Sequence, residues 1–162
     1  MLEIIKYNNE KQDLIKLMET LQDYLISIDP LKRLRRLPEY GEIYVNDLLE
    51  KIKENQGVIY IAKLDGEIVG LIAGLIEKLT VIDSVESAPA KTARILELIV
   101  SEKHRGLNIG TLLMSEIEKY FVEEKCNLIR VEVFEPNQSA HHFYEKCGYG
   151  DRVIDMLKVV QQ

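Results

Sequence analysis

The spacing of apolar positions changes several times along the chain, and each change marks an element. LEIIK at 2–6 predicts a short strand. From 9 to 28, Leu14, Leu17, Met18, Leu21, Leu25 and Ile28 recur at the intervals of one buried helix face. Pro30 ends that helix, because its ring removes an amide donor. After the basic stretch LKRLRRLP, Ile43, Leu48, Leu49 and Ile52 predict a second helix that stops before Gly57. GVIYIAKLDGEIVGLIAGLIE then holds two β-rich runs around Asp65-Gly66, a dipeptide suited to a tight hairpin turn. Residues 80–92 predict a loop, and RILELIV at 94–100 predicts a strand apolar enough to be central.

The second half alternates element types. Gly106 and Asn108 open a helix with Ile109, Leu112, Leu113, Ile117, Tyr120 and Phe121 on its apolar stripe, and NLIRVEVF at 127–134 predicts the next strand. A strand–helix–strand unit of this kind implies a right-handed crossover between parallel neighbours. Asn137 to Cys147 predicts a short helix closed by Gly148, and DRVIDMLKVV predicts a last strand, apolar on both faces. No repeat, linker or low-complexity tract interrupts 1–162, which is therefore expected to be one domain. The fold class is α/β (α+β), with a mixed sheet and helices on both faces.

Composition narrows the function. A chain of 162 residues suits one continuous core. The net charge of −6 weighs against nucleic acid as the main partner and suits a cationic small molecule or amine. No stretch approaches the ~20 apolar residues of a membrane helix, and the start lacks the layout of a secretory signal. A cytoplasmic protein with no membrane partner is expected. Cys126 and Cys147 are too few for a disulfide framework, and they share no ligand spacing with His104, His141 or His142, so no metal is expected.

Chemistry concentrates where the strand at 94–100 gives way to a helix. The turn carries Arg105, Gly106, Asn108 and Gly110. A strand-to-helix turn of this type directs backbone N–H groups outward at the positive end of a helix dipole, an arrangement that binds a pyrophosphate. It matches neither G-x-G-x-x-G nor the P-loop pattern. A tight connection with no ligand would carry the same residues.

RGLNIGTLL resembles the acetyl-CoA-binding signature of the GNAT acetyltransferases, [Q/R]-x-x-G-x-[G/A], with Arg105 and Gly110 at its ends and Asn108 in place of the central glycine. Asn is the side chain that best tolerates positive φ. A second segment, VEVFEPNQSAHHFYEKCGY at 131–149, resembles the family's late motif through Asn137, Ala140, Tyr144, Gly148 and Tyr149. The likeness runs in order over essentially the whole chain.

The resemblance implies a sheet of six or seven mostly antiparallel strands, with a splayed parallel pair where coenzyme A lies. The pantetheine arm would bond main-chain groups of Leu98, Ile99 and Val100. Arg105, Gly106, Leu107, Asn108, Ile109, Gly110 and Thr111 would form the pyrophosphate turn, and the Asn137 amide would reach the pantetheine arm. Tyr144 would be the general acid for the departing thiolate; a core aromatic is the alternative. Two carboxylates interrupt apolar strands, Glu132 and Glu97, and either would serve as general base. Glu132 is slightly preferred, and a solvent-facing position or a pair with Arg94 or Arg130 stays open for both.

The implied reaction is acetyl transfer from acetyl-CoA to a primary amine of a small molecule or peptide. A non-catalytic acyl-CoA-binding or sensor module is the alternative. Tyr24, Asp29, Glu39, Tyr40, Glu42, Tyr44 and Asp47 are candidate walls for the acceptor. Short-tailed relatives that exchange strands suggest a homodimer.

Overall fold

The computed structural model describes residues 1–160. They form two compact units, a larger one of Met1–Glu132 and a smaller one that begins at Val133.

The larger unit is built on one sheet of order β1-β2-β3-β4-β5. The strands are β1 (Leu2–Lys6), β2 (Val58–Leu64), β3 (Glu67–Ile76), β4 (Thr92–Val100) and β5 (Leu128–Val131). The first four pair antiparallel, and β4 and β5 run parallel. Asp65 and Gly66 turn the β2–β3 hairpin with φ of 49° and 93°, the left-handed pair that the twist of two antiparallel strands demands.

Side chains alternate across β3, so each face receives its own helices. Leu71 and Ala73 join Ile59, Ile61 and Ile99 beneath α1 (Lys11–Ile28) and α2 (Tyr40–Glu54), where Leu14, Leu17, Met18, Val45 and Leu48 complete a buried cluster. On the opposite face, α4 (Ile109–Glu123) buries Ile109, Leu113, Met114, Ile117 and Phe121. The bare backbone of β3 admits it: a Cβ at Gly74 would lie 2.8 Å from the Phe121 ring and 2.9 Å from Ile117. Between α1 and α2, the buried carboxylate of Asp29 accepts from the amides of Leu31, Arg33 and Leu34 at 2.9, 2.6 and 2.8 Å, and this fixes the basic loop.

Three expectations need correction. Residues 80–92 are not all loop: α3 (Val81–Glu86) is a single exposed helix, closed at its start by a reciprocal Thr80–Asp83 capping box. The strand expected at 127–134 stops at Val131, where its ladder with β4 ends at Ile95↔Val131. DRVIDMLKVV forms no strand, and Val153, Ile154, Met156 and Leu157 are 68–88% exposed. Alternation makes a strand only where a neighbour supplies the ladder, and among the described residues none pairs with this segment. The sheet therefore has five strands rather than six or seven.

In the smaller unit, α5 (Gln138–Lys146) is capped at both ends. The Asn137 carboxamide oxygen accepts from the Ala140 amide at 3.3 Å. At the other end Gly148, with φ of 92°, donates to Glu145, and Tyr149 donates to Tyr144 at 3.0 Å. These two bonds form a Schellman closure.

Candidate active site

A defect in β4 creates the site. Ala73 pairs with Glu97 but Gly74 pairs with Ile95, so Leu96 is an extra residue with no counterpart on β3. Such a bulge re-aims side chains and interrupts pairing. Here it turns two consecutive residues to one side: Leu96 packs on the α1/α2 cluster, and Glu97 meets Tyr44 of α2. The parallel ladder with β5 ends at the residue before it, Ile95, while β4 runs on through Leu98, Ile99 and Val100, held by β3.

A cleft of about 300 Å³ opens there, lined by Tyr44, Asp47, Leu48 and Lys51 of α2, by Arg94 to Glu97 of β4, and by Glu132. Glu97 is half-buried. Its carboxyl pKa is pushed up to about 7, chiefly because burial disfavours the charged form; the hydrogen bond from Tyr44 and the charge of Lys51 oppose the rise. Tyr44 donates its phenolic proton to Glu97 Oε1. Its ring stacks on Tyr40 at 5.4 Å. Burial, then the nearby Glu97 charge, lifts the Tyr40 phenol to about 12 and raises Tyr44 as well, so both remain hydroxyl donors at ordinary pH.

Glu132 has different surroundings. Its side chain is 65% exposed and lies 2.7 Å from Arg94 and 3.7 Å from Arg130. Both guanidiniums also approach Glu77, at 3.9 and 3.6 Å. Glu132 therefore carries the ion-pair arrangement that the sequence left open for either glutamate, while Glu97 is the half-buried carboxyl. On the other wall, Lys51 is paired with Asp47 at 2.6 Å.

The glycine-bearing turn follows β4 and a short 3₁₀ segment, Glu102–His104. Gly106 has φ of 80°, and a Cβ there would meet nothing within 4 Å. Asn108 adopts the left-handed conformation, φ 62° and ψ 11°, in which the family signature has glycine. The first intrahelical bond of α4 runs from the Leu112 amide to Asn108, so the amides of Ile109, Gly110 and Thr111 precede it at the helix mouth. Leu107 is exposed. The Arg105 guanidinium lies over the Tyr24 ring at 5.4 Å, with its Nε 3.4 Å from the Val100 carbonyl. His104 is 2.7 Å from Ser101 Oγ, which tethers the same turn. An open, amide-lined turn of this shape fits a diphosphate.

In the smaller unit, Tyr144 is 8% exposed, with its ring edge-on to Phe143 at 5.5 Å and to Tyr149 at 5.9 Å. Asn137 is the cap of the same helix. His141 contacts Asp151 at 2.7 Å, and that hydrogen bond raises its pKa. Among the described residues, no group of three or more His, Cys, Asp or Glu is placed to hold a metal ion.

The chain belongs to the acetyltransferase (GNAT) family, whose model matches residues 16–149. An uncharacterized N-acetyltransferase of Methanocaldococcus jannaschii is 36% identical over 96 residues, which is 59% of this chain and 54% of that protein. An N-alpha-acetyltransferase of Sulfurisphaera tokodaii is 29% identical over 77% of this chain and 75% of its own. Among solved structures, a mutant protein of Bacillus halodurans superposes with a TM-score of 0.85 at 16% identity, covering 98% of this chain and 99% of its own. AAC(6')-Iy, solved in complex with the bisubstrate analogue CoA-S-monomethyl-acetylneamine, superposes at 0.69 with 13% identity, covering 99% of both chains. No helix among the described residues is long and apolar enough to cross a membrane.

Proposed function

We propose that this chain transfers the acetyl group of acetyl-CoA directly to a primary amine, with Glu97 as the general base. The observation that carries this reading is a half-buried carboxyl with its pKa near 7, facing a cleft beside the bulge of β4. An ammonium has no lone pair, so the acceptor must lose a proton before it can attack. A carboxylate that titrates near neutrality is suited to taking it. Glu132 is the weaker candidate, since its ion pair with Arg94 occupies it.

Acetyl-CoA would supply the activated thioester. The amine nitrogen would bond to the acetyl carbon as the carbon–sulfur bond breaks; the nitrogen would give up its second proton to water, and the thiolate would gain one. For that last proton we retain Tyr144 as donor. The turn from Arg105 to Thr111 would hold the diphosphate, main-chain groups of Leu98, Ile99 and Val100 the pantetheine arm, and Asn137 would contribute its amide. The left-handed Asn108 supports a turn able to hold coenzyme, and the half-buried Glu97 carboxyl in the cleft favours an enzyme over a non-catalytic acyl-CoA sensor.

An acidic chain favours a cationic acceptor. The name of the Sulfurisphaera relative supports an α-amine, and the ligand of AAC(6')-Iy supports a small-molecule amine. The reading further takes the two units as one domain, since the family model spans both, in a cytoplasmic protein. It also includes a homodimer, which the exposed apolar side chains from Val153 to Val160 support. A monomeric mass at micromolar concentration would remove that last element.

The decisive experiment is thiol release from acetyl-CoA across a panel of peptide and small-molecule amines, followed from pH 5.5 to 9. Turnover should rise through an acid limb near pH 7. E97Q should lose about 10²–10⁴-fold, the usual worth of a positioned base. Unchanged turnover and an unchanged limb in E97Q would remove Glu97 from the reaction.

A further inference from the structure

We propose that Tyr44 is a positioning residue for the base, its phenolic O–H holding the Glu97 carboxylate at the back of the cleft and favouring its proton-accepting form. This rests on the assignment of Glu97 as base. The geometry is local and specific. Tyr44 donates to Glu97 Oε1, and the stacked Tyr40 ring limits where the phenol can swing. A tyrosine hydroxyl bonded in this way stabilises the ionised carboxylate and orients it, without itself giving up the proton.

Other groups face Glu97, and their arrangement leaves this task to Tyr44. Lys51 of α2 favours the ionised form, but its ammonium is tied to Asp47 at 2.6 Å. Arg94, from the same strand as Glu97, is committed to Glu132 at 2.7 Å. Tyr40 stands behind Tyr44 and senses the Glu97 charge. The direct hydrogen bond to the base therefore comes from Tyr44, the largest of the influences that oppose its desolvation. Without it, burial alone would hold Glu97 protonated to higher pH.

The test is Y44F, which keeps the stacked ring and removes the hydroxyl. Its acid limb in the pH–rate profile should move up by about one pH unit, an approximately tenfold loss below the limb. Activity should return to within about twofold of wild type above it. A uniform loss with the limb unmoved would overturn the proposal, because a structural role alone predicts that pattern. In an E97Q background, Y44F should add no further loss. A parallel ¹³C titration of the Glu97 carboxyl, in wild type and Y44F, reads the hydrogen bond without turnover. If E97Q leaves the limb in place while Y44F still raises the carboxyl pKa, the base assignment fails and the pairing survives only as structure. If the Y44F carboxyl titrates as in wild type, the positioning role fails whatever the kinetics show.

Discussion

Glu97 should weaken the fold at the pH where it is useful, and the size of that effect follows from its surroundings. Its pKa is about 7 in the folded chain against a reference of 4.5. Between those values the native state binds more protons than the unfolded chain, so stability falls as pH rises through the window. At pH 8 the ionised group costs 7 − 4.5 = 2.5 pKa units, about 3 kcal/mol. E97Q keeps the shape and an acceptor for Tyr44 but has no charge to desolvate. Relative to wild type, it should gain about 3 kcal/mol between pH 4.5 and 8, on top of any constant difference at low pH. For a chain of this size that corresponds to about 10 °C in Tm. Urea unfolding at half-unit pH intervals would measure it. A wild-type-minus-variant difference that stays flat from pH 4.5 to 8 would refute the reasoning, as would a gap that moves the other way. A variant both inactive and more stable would mark a site where function works against folding.

Two further outcomes concern the coenzyme and the leaving group. Asn108→Gly should leave the fold nearly unchanged and bind coenzyme A at least as well, whereas Asn108→Val, β-branched at φ 62°, should cost about 1–2 kcal/mol and weaken binding; thermal shift with and without coenzyme reads both. Tyr144→Phe should lower kcat while leaving coenzyme affinity nearly intact, and steady-state kinetics with calorimetry would show otherwise if Tyr144 only packs.

Sequence periodicity was enough for the elements whose signal is local. Asp65-Gly66 named the hairpin, and the strand–helix–strand run from 94 to 131 named the parallel pair. Thr80 and Asp83 held the signal for α3, but its six residues bury no side chain, and so no apolar stripe marked it. The tail's alternation described a strand in need of a partner. The extra residue at Leu96 left no trace in composition, yet one insertion decides which side of β4 faces α2. That is why the sequence could place Glu132 slightly ahead of Glu97, although Glu97 is the half-buried one. Tyr44 lies 53 residues from the carboxylate it contacts, a separation that no local pattern encodes.

Gly70 and Gly74 stand two pleat repeats apart on the face of β3 that receives α4; a methyl group at Gly70 would lie 2.8 Å from the Ile99 carbonyl of β4 and 3.4 Å from Leu113, whereas one at Gly74 would press on Phe121 and Ile117 of the helix itself. The helix is thus seated by one absent side chain, at Gly74. Because α4 is a rigid rod, a shim inserted at Gly74 would tilt its whole length, and the amides of Ile109 to Thr111 at its mouth would swing with it. The aim of that helix mouth is set from mid-sheet, by atoms that are not there.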